Sequence, residues 1–123
     1  MKFLIPFLFS FTLLTAQNRP GNRTEPAARQ LIDSLYTLVK NGSDISKLAM
    51  IYSDDLSSKP RGGLCLNIPY GSFVPEFDNE VINLDAGGIS KPFRTIYGYH
   101  ILQVIEKQTT AFTVRHILIK FRE

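Results

Sequence analysis

Two apolar segments near the end of the chain, Tyr99–Glu106 and Val114–Phe121, constrain the fold more than any other feature of the sequence. Both are rich in Ile, Leu and Val, a composition typical of β-strands. A short polar connection around Lys107 to Thr109 separates them. They are therefore predicted to pair as an antiparallel hairpin.

Helical periodicity governs the chain upstream of this hairpin. Helices are predicted to begin at the N-cap Thr24, at Ser43 or Asp44, and at Pro75. The apolar residues of the first helix recur at helical spacing: Ala28, Leu31, Ile32, Leu35 and Leu38 or Val39. Two shorter extended segments are predicted as well, Leu64–Ile68 and Ile89–Thr95. Helices followed by strands indicate an α+β fold with a small antiparallel sheet.

The N-terminus has the features of a secretory signal peptide. Lys2 is the only charge in the first sixteen residues, an apolar run extends from Phe3 to Leu14, and Ala16 precedes a polar segment. The run is shorter than the roughly 20 residues that span a membrane. We predict a signal peptide at 1–16, a flexible leader at 17–23 and one domain at 24–123, with an uncleaved anchor as the alternative. The mature protein is then exported, to the periplasm or beyond, without stable membrane insertion.

Net charge and cysteine content argue against two classes of protein, nucleic-acid-binding proteins and disulfide scaffolds. The formal net charge of +3 is a mild excess and gives no reason to expect nucleic-acid binding. Cys65 is the sole cysteine, so the chain is not a disulfide scaffold. Because Cys65 stands between Leu64 and Leu66, we interpret it as a buried small hydrophobe, with a reactive thiol as the alternative.

Both histidines of the chain fall inside the hairpin strands. His100 shares a strand face with Leu102 and Val104, and His116 shares one with Val114 and Leu118. Pairing residue 100 with residue 116 would place the histidines directly opposite each other, with Cβ atoms about 5 Å apart. The alternative is two separate strand histidines, each satisfied by a local hydrogen bond.

Five motifs follow one another along the chain: Leu48–Asp55, Gly62-Gly63, Gly71–Asp78, Gly88–Pro92 and Tyr97–Gln103. In order and spacing they resemble the parvulin family of peptidyl-prolyl cis–trans isomerases, in particular those of bacterial periplasmic folding factors. The resemblance covers roughly Glu25 to Glu106. It implies a parvulin-like (FKBP-like) fold, in which a small antiparallel sheet is surrounded by helices.

The chain departs from the parvulin pattern at its ends. The family begins with a strand similar to "RHILI", whereas here Arg115-His116-Ile117-Leu118-Ile119 follows the last motif. We favour a circular permutant whose first strand is supplied from the C-terminus. In the alternative, this segment begins a further domain. A smaller departure is Gly62–Leu66, which lacks the acidic residue and last glycine of the family's "GGDLG".

The resemblance implies roles for seven residues. His100 and His116 would form a hydrogen-bonded pair on the floor of the site. Thr95 would hydrogen-bond this network. Asp55 stands where the family has Cys or Asp, beside the carbonyl of the rotating bond. Three side chains would hold the proline ring: Phe73, Phe77 and Cys65. Taken without the resemblance, these aromatic residues would be core and Asp55 a loop acid.

The implied function is prolyl isomerisation of unfolded or partly folded exported proteins. The reaction needs no covalent step and no cofactor, because a pocket that favours the twisted amide lowers the barrier by differential binding. The spacing of the two histidines, Cys65 and Asp55 matches no standard zinc pattern. A non-catalytic peptide-binding or chaperone module is the alternative. A monomer is expected, and a last strand swapped between copies is the competing arrangement.

Overall fold

A computed structural model of the protein describes residues 21–122. The predicted signal peptide and residues 17–20 of the predicted leader lie outside this range. The elements follow in order as α1 Glu25–Lys40, α2 Ile45–Tyr52, a 3₁₀ turn Lys59–Arg61, β1 Leu64–Pro69, α3 Pro75–Ile82, β2 Phe93–Thr95, β3 Gly98–Lys107 and β4 Ala111–Ile119. No helix in residues 21–122 is long and apolar enough to cross a membrane.

The helices begin where their capping residues predict. The hydroxyl of Thr24 accepts the N–H of Ala27, and the carboxylate of Asp44 accepts the N–H of Ser46. These side chains satisfy backbone donors that the first turn of a helix leaves free. The third helix opens on Pro75, whose missing N–H costs nothing in the first turn.

The four strands form one antiparallel sheet in the order β1-β4-β3-β2, which confirms the α+β prediction. The C-terminal strand β4 is an inner strand that pairs with both β1 and β3. The predicted hairpin is therefore present, but its predicted register is wrong. His116 lies opposite Leu102, and His100 lies opposite Leu118, so the histidines are diagonal neighbours.

The two faces of the sheet carry different cores. Alternate residues of β3 and β4 pack against α1 and α2: Tyr99, Ile101, Ile117 and Ile119. The other face packs against α3 through a second cluster: Cys65, Phe77, Val81, Leu102, Val104, Phe112 and Val114. The strand alternation of two residues therefore places both histidines on the α3 side of the sheet.

A buried ion pair joins the start of the described chain to its end. The guanidinium of Arg23 lies 2.6 Å from the carboxylate of Asp54 and donates to the carbonyl of Lys120 at 2.9 Å. Arg23, predicted to lie in the flexible leader, is 3% exposed. It therefore packs as part of the domain.

Candidate active site

A groove of about 690 Å³ opens on the α3 side of the sheet. Its lining combines apolar and ionisable side chains: Asp55, Leu56, Cys65, Phe73, Phe77, Tyr97, His100 and His116. Six of the seven residues to which the resemblance assigned roles line this groove. The seventh, Thr95, is buried behind His100 and bonds to its ring.

Asp55 and His116 form the polar centre of the groove. An Asp55 carboxylate oxygen lies 2.8 Å from Nε2 of His116, although the two residues are 61 positions apart. Ser57 donates to one Asp55 oxygen at 2.9 Å, and Ser58 donates to the other at 2.6 Å. The carboxylate is therefore held by three partners in one orientation.

Backbone contacts with the end of β4 fix the loop that carries Asp55. The N–H of Asp54 donates to the carbonyl of Leu118 at 2.7 Å, and the N–H of Leu118 donates to the hydroxyl of Ser53 at 3.2 Å. The N–H of Lys120 donates to the Asp54 carboxylate at 2.8 Å. The strand that carries His116 thus also positions the acid beside it.

His100 belongs to a separate hydrogen-bonded unit. Its Nε2 lies 2.7 Å from the hydroxyl of Thr95, and that hydroxyl accepts the N–H of Tyr97 at 3.1 Å. Nδ1 of each histidine is buried without a hydrogen-bond partner in the described part of the chain. The prediction of a hydrogen-bonded histidine pair is therefore wrong, because each ring bonds outward to its own partner. The rings instead stack, with centroids 5.9 Å apart and planes at 19°.

Phe77 joins the two histidines to the apolar part of the groove. Its ring stands edge-on to His100 at 5.8 Å and to His116 at 5.4 Å, with interplanar angles of 83° in both cases. Phe73 packs edge-to-face on Phe77 at 4.9 Å. Cys65, 7% exposed, completes this lining from β1.

The surroundings shift the pKa values of the two histidines in opposite directions. Burial lowers the pKa of His100 to about 3, with the charge of His116 acting in the same direction. Burial also disfavours a charged His116, but the hydrogen bond with Asp55, assisted by contact with Cys65, raises its pKa to about 9. The hydrogen bond with His116 holds the pKa of Asp55 well below its usual range. At neutral pH the groove thus contains an Asp55–His116 ion pair beside a neutral His100.

Gly63 allows the backbone of β4 to pass very close to the residue that precedes β1. Its φ is +78°, and a Cβ at this position would lie 2.2 Å from the carbonyl oxygen of His116. The N–H of His116 donates to the carbonyl of Gly63 at 3.0 Å. Any side chain at residue 63 would clash with the His116 backbone, so this close approach requires glycine.

Several residues of this site were not among the predicted ones. Ser58 is fully buried and contacts both Asp55 and His116. Leu56 and Tyr97 line the groove yet are 78% and 55% exposed, so they form its rim. A serine in a polar loop or an apolar residue in a turn carries no sequence signal that separates it from ordinary surface.

A second cavity of about 730 Å³ lies on the α1 side and involves different chemistry. Part of its charge is paired within the cavity. Arg94 forms an ion pair with Glu25, and the hydroxyl of Tyr99 donates to the same carboxylate at 3.2 Å. Its lining contains neither histidine nor cysteine. The α3-side groove is therefore the better candidate for chemistry.

The model of the PPIC-type PPIase domain family matches residues 9–108, which is most of the chain. The chain is 40% identical over 91 residues to a protein named chaperone SurA from Pseudomonas putida, covering 74% of this chain and 21% of the relative. It is 44% identical over 70 residues to foldase protein PrsA 3 from Bacillus anthracis, covering 57% of this chain and 25% of that protein. The chain thus spans about a fifth to a quarter of the length of these relatives. The family match ends before β4.

Proposed function

Because the chain belongs to the PPIC-type peptidyl-prolyl isomerase (parvulin) family, we propose that it catalyses cis–trans isomerisation of Xaa-Pro bonds in unfolded exported proteins. The observation that carries the proposal is the groove, in which a buried apolar pocket adjoins an oriented carboxylate. An apolar pocket suits a proline ring, and the polar edge suits the amide that precedes it.

The chemical problem is a rotation, so the site needs no nucleophile. The planar amide is protected by a barrier of about 18–20 kcal/mol that comes from resonance. Lowering this barrier by about 4 kcal/mol accelerates the rotation roughly a thousandfold. A site achieves this by binding the twisted amide more tightly than the planar one.

In this proposal Phe77, Phe73 and Cys65 grip the proline ring while the preceding carbonyl lies beside Asp55. Resonance increases the partial negative charge on the oxygen of a planar amide, and twisting the bond reduces that charge. A carboxylate beside that oxygen therefore disfavours the planar form relative to the twisted one. The ion pair with His116 and the hydroxyl of Ser58 hold the Asp55 carboxylate in position.

His100 has a supporting part in the proposal. Its ring is neutral at neutral pH and is sandwiched between two aromatic contacts, stacking on Phe93 at 5.1 Å and meeting the edge of Phe77. The hydroxyl of Thr95 accepts the N–H of Tyr97 and also hydrogen-bonds Nε2 of His100. His100 and Thr95 thereby set the shape and low polarity of the pocket floor.

Export and folding assistance form the wider part of the proposal. The apolar N-terminal run supports a signal peptide at 1–16, and two relatives carry the names chaperone and foldase. The clients are then newly exported chains that present exposed Xaa-Pro segments. We also propose that β4 completes the domain in cis, since it is an inner strand of the sheet.

A peptide isomerisation assay tests the catalytic proposal. The purified chain is expected to accelerate cis–trans conversion of Ala-Xaa-Pro-Phe peptides, and Asp55→Asn is expected to reduce kcat/KM by about a hundredfold, the lower end of the loss seen when one electrostatic stabilising group is removed. Asp33→Asn, which removes an exposed carboxylate on α1, is the matched control and should retain wild-type activity. A folded wild-type chain that gives no acceleration would overturn the proposal.

A binding module without turnover is the second candidate function, favoured by the exposed apolar rim. Leu56 and Tyr97 remain largely exposed beside the groove, as expected of a surface that holds unfolded segments. The same peptides distinguish the two candidates. Binding with acceleration supports the isomerase, and binding without acceleration supports the module.

A further inference from the structure

Asp55, Cys65 and His116 bring three different metal-ligand types together in the groove. A carboxylate oxygen, the thiol sulfur and a ring nitrogen all lie within 4.8 Å of one another. The sequence separations of these residues match no standard zinc pattern, so only the fold makes the set visible. We propose that this cluster is a binding site for a zinc-class divalent ion, and that the bound ion switches the isomerase groove off.

The strands supply two of the three ligands in a fixed relation. Cys65 on β1 lies opposite Val114, and His116 follows Val114 by two residues on the same face of β4. Cys65 and His116 are therefore diagonal neighbours on adjacent strands. Both are less than one-tenth exposed, so little side-chain freedom is lost when they bind an ion.

The third ligand is held in place by its own hydrogen bonds. The two oxygens of Asp55 accept from the hydroxyls of Ser57 and Ser58. Such outer partners orient a ligating carboxylate and are part of most protein metal sites. Asp55 is also the most exposed of the three ligands, so it lies at the groove entrance where an ion would arrive.

Ligand chemistry selects the class of ion. A thiolate, an imidazole and a carboxylate are the ligand types that zinc uses, and the thiolate disfavours calcium and magnesium. Binding releases the Cys65 thiol proton and the imidazolium proton of His116 to solvent, and the charges of the carboxylate and thiolate then balance those of a divalent ion. In a tetrahedral zinc site the ligand atoms stand about 3.5 Å apart. The widest separation in the cluster therefore has to shorten by about 1 Å, and the 2.8 Å between the Asp55 oxygen and Nε2 of His116 has to lengthen. Three protein ligands leave a fourth position open to the groove.

The functional consequence rests on the proposed isomerase function. Cys65 lines the pocket with Phe73 and Phe77, and Asp55 lies beside the position proposed for the rotating carbonyl. An ion between Asp55 and Cys65 would occupy the space of the proline ring and neutralise the carboxylate. Ion and proline peptide then exclude each other, and each weakens the binding of the other by the same factor.

Titration of the purified, reduced chain with Co²⁺ tests the site without any reference to activity. Wild type is expected to bind one ion, giving the visible bands of tetrahedral Co²⁺ and a thiolate charge-transfer band, and Zn²⁺ should abolish both. Loss of an outer partner alone weakens metal binding about 10–100-fold, so Cys65→Ser and His116→Gln should weaken it by more than about tenfold. Circular dichroism confirms that each variant is folded.

His100→Gln is the matched control, because His100 lies in the same groove but outside the cluster. It should keep the Co²⁺ spectrum. Absence of the charge-transfer band in folded wild type, or its survival in Cys65→Ser, would overturn the site. If the site forms but Zn²⁺ leaves a measurable isomerase rate unchanged, the inhibitory role is wrong. A chain that binds Co²⁺ yet never isomerises peptides instead refutes the proposed function and keeps the metal site.

Discussion

The two faces of the sheet are built from the same two strands but serve different ends. On the α1–α2 side, the buried apolar residues of β3 and β4 are Tyr99, Ile101, Ile117 and Ile119, and helices cover them. On the α3 side they contribute His100 and His116 together with apolar neighbours, and the face opens into the groove. Strand alternation thus separates a closed core face from the face that carries the candidate site within single segments of chain. Mutations one residue apart should therefore have different consequences.

The largest expected effect comes from removing the strand that both faces share. A chain ending at Thr110 lacks β4, which pairs with β1 and β3 and carries buried residues of both cores. We expect it to show no cooperative thermal unfolding and no activity, because unpaired strands would leave buried backbone groups without partners. A chain ending at Phe121 keeps β4 and is the control. A folded, active Thr110-terminated chain would show that β4 is dispensable.

The neighbours Ile101 and Leu102 test the comparison directly, since both are completely buried but face opposite sides. Each substitution to Ala should cost about 2–5 kcal/mol of unfolding free energy. Leu102 lies opposite His116 on the groove side. Because a displacement of about 1 Å can cost up to a hundredfold in rate, Leu102→Ala should lower kcat/KM by about tenfold or more, whereas Ile101→Ala should leave it nearly unchanged.

These values are measured by chemical denaturation and by peptide isomerisation at temperatures where both variants are folded. Equal loss of activity in the two variants would contradict the separation of the faces. Equal stability losses with unequal activities would establish it.

A smaller effect is expected in the dependence of stability on pH. The pKa of His116 is raised from 6.5 to about 9 by its contact with Asp55, so its contribution to stability is complete below pH 6.5 and is lost as the pH rises through 9. Over that window the thermal midpoint of wild type should fall by at least about 5 °C, because each kcal/mol of lost stability lowers it by about 4–8 °C in a domain of this size. His116→Gln should lack this part of the decline. The helix-facing variant Ile101→Ala should show the wild-type slope, and an unchanged slope in His116→Gln would contradict the ion pair.

The sequence predicted which face of the sheet the residues of β3 and β4 occupy, but not which residues of the two strands pair. Alternation along Tyr99–Glu106 and Val114–Phe121 correctly placed both histidines with Leu102, Val104, Val114 and Leu118. A register slip of one residue would have moved these side chains to the other face, but a slip of two leaves the pattern intact. The predicted pairing of 100 with 116 differs from the observed pairing of 100 with 118 by that amount. Next to the turn the difference is three residues, and the bulge between Val104 and Glu106 reduces it to two. The hydrophobic pattern therefore could not distinguish the pairing of 100 with 116 from the pairing of 100 with 118.

The candidate site was predictable only in part for a related reason. Of the seven residues that the resemblance named, six line the groove and Thr95 lies behind it. The contacts of Asp55 with His116 and Ser58 depend on how the 53–58 loop is anchored to Leu118 and Lys120, which no local pattern encodes. The same holds for the approach of Cys65 to Asp55, which brings the three metal-ligand types together.

A nuclear magnetic resonance titration with a proline-containing peptide tests the two-face account most directly. The account predicts that the ring signals of Phe77 and His116 shift as peptide is added, while the methyl signals of Ile101 and Ile117 on the opposite face stay in place. Methyl shifts on the helix-facing side without ring shifts in the groove would contradict the assignment of binding to the α3 face.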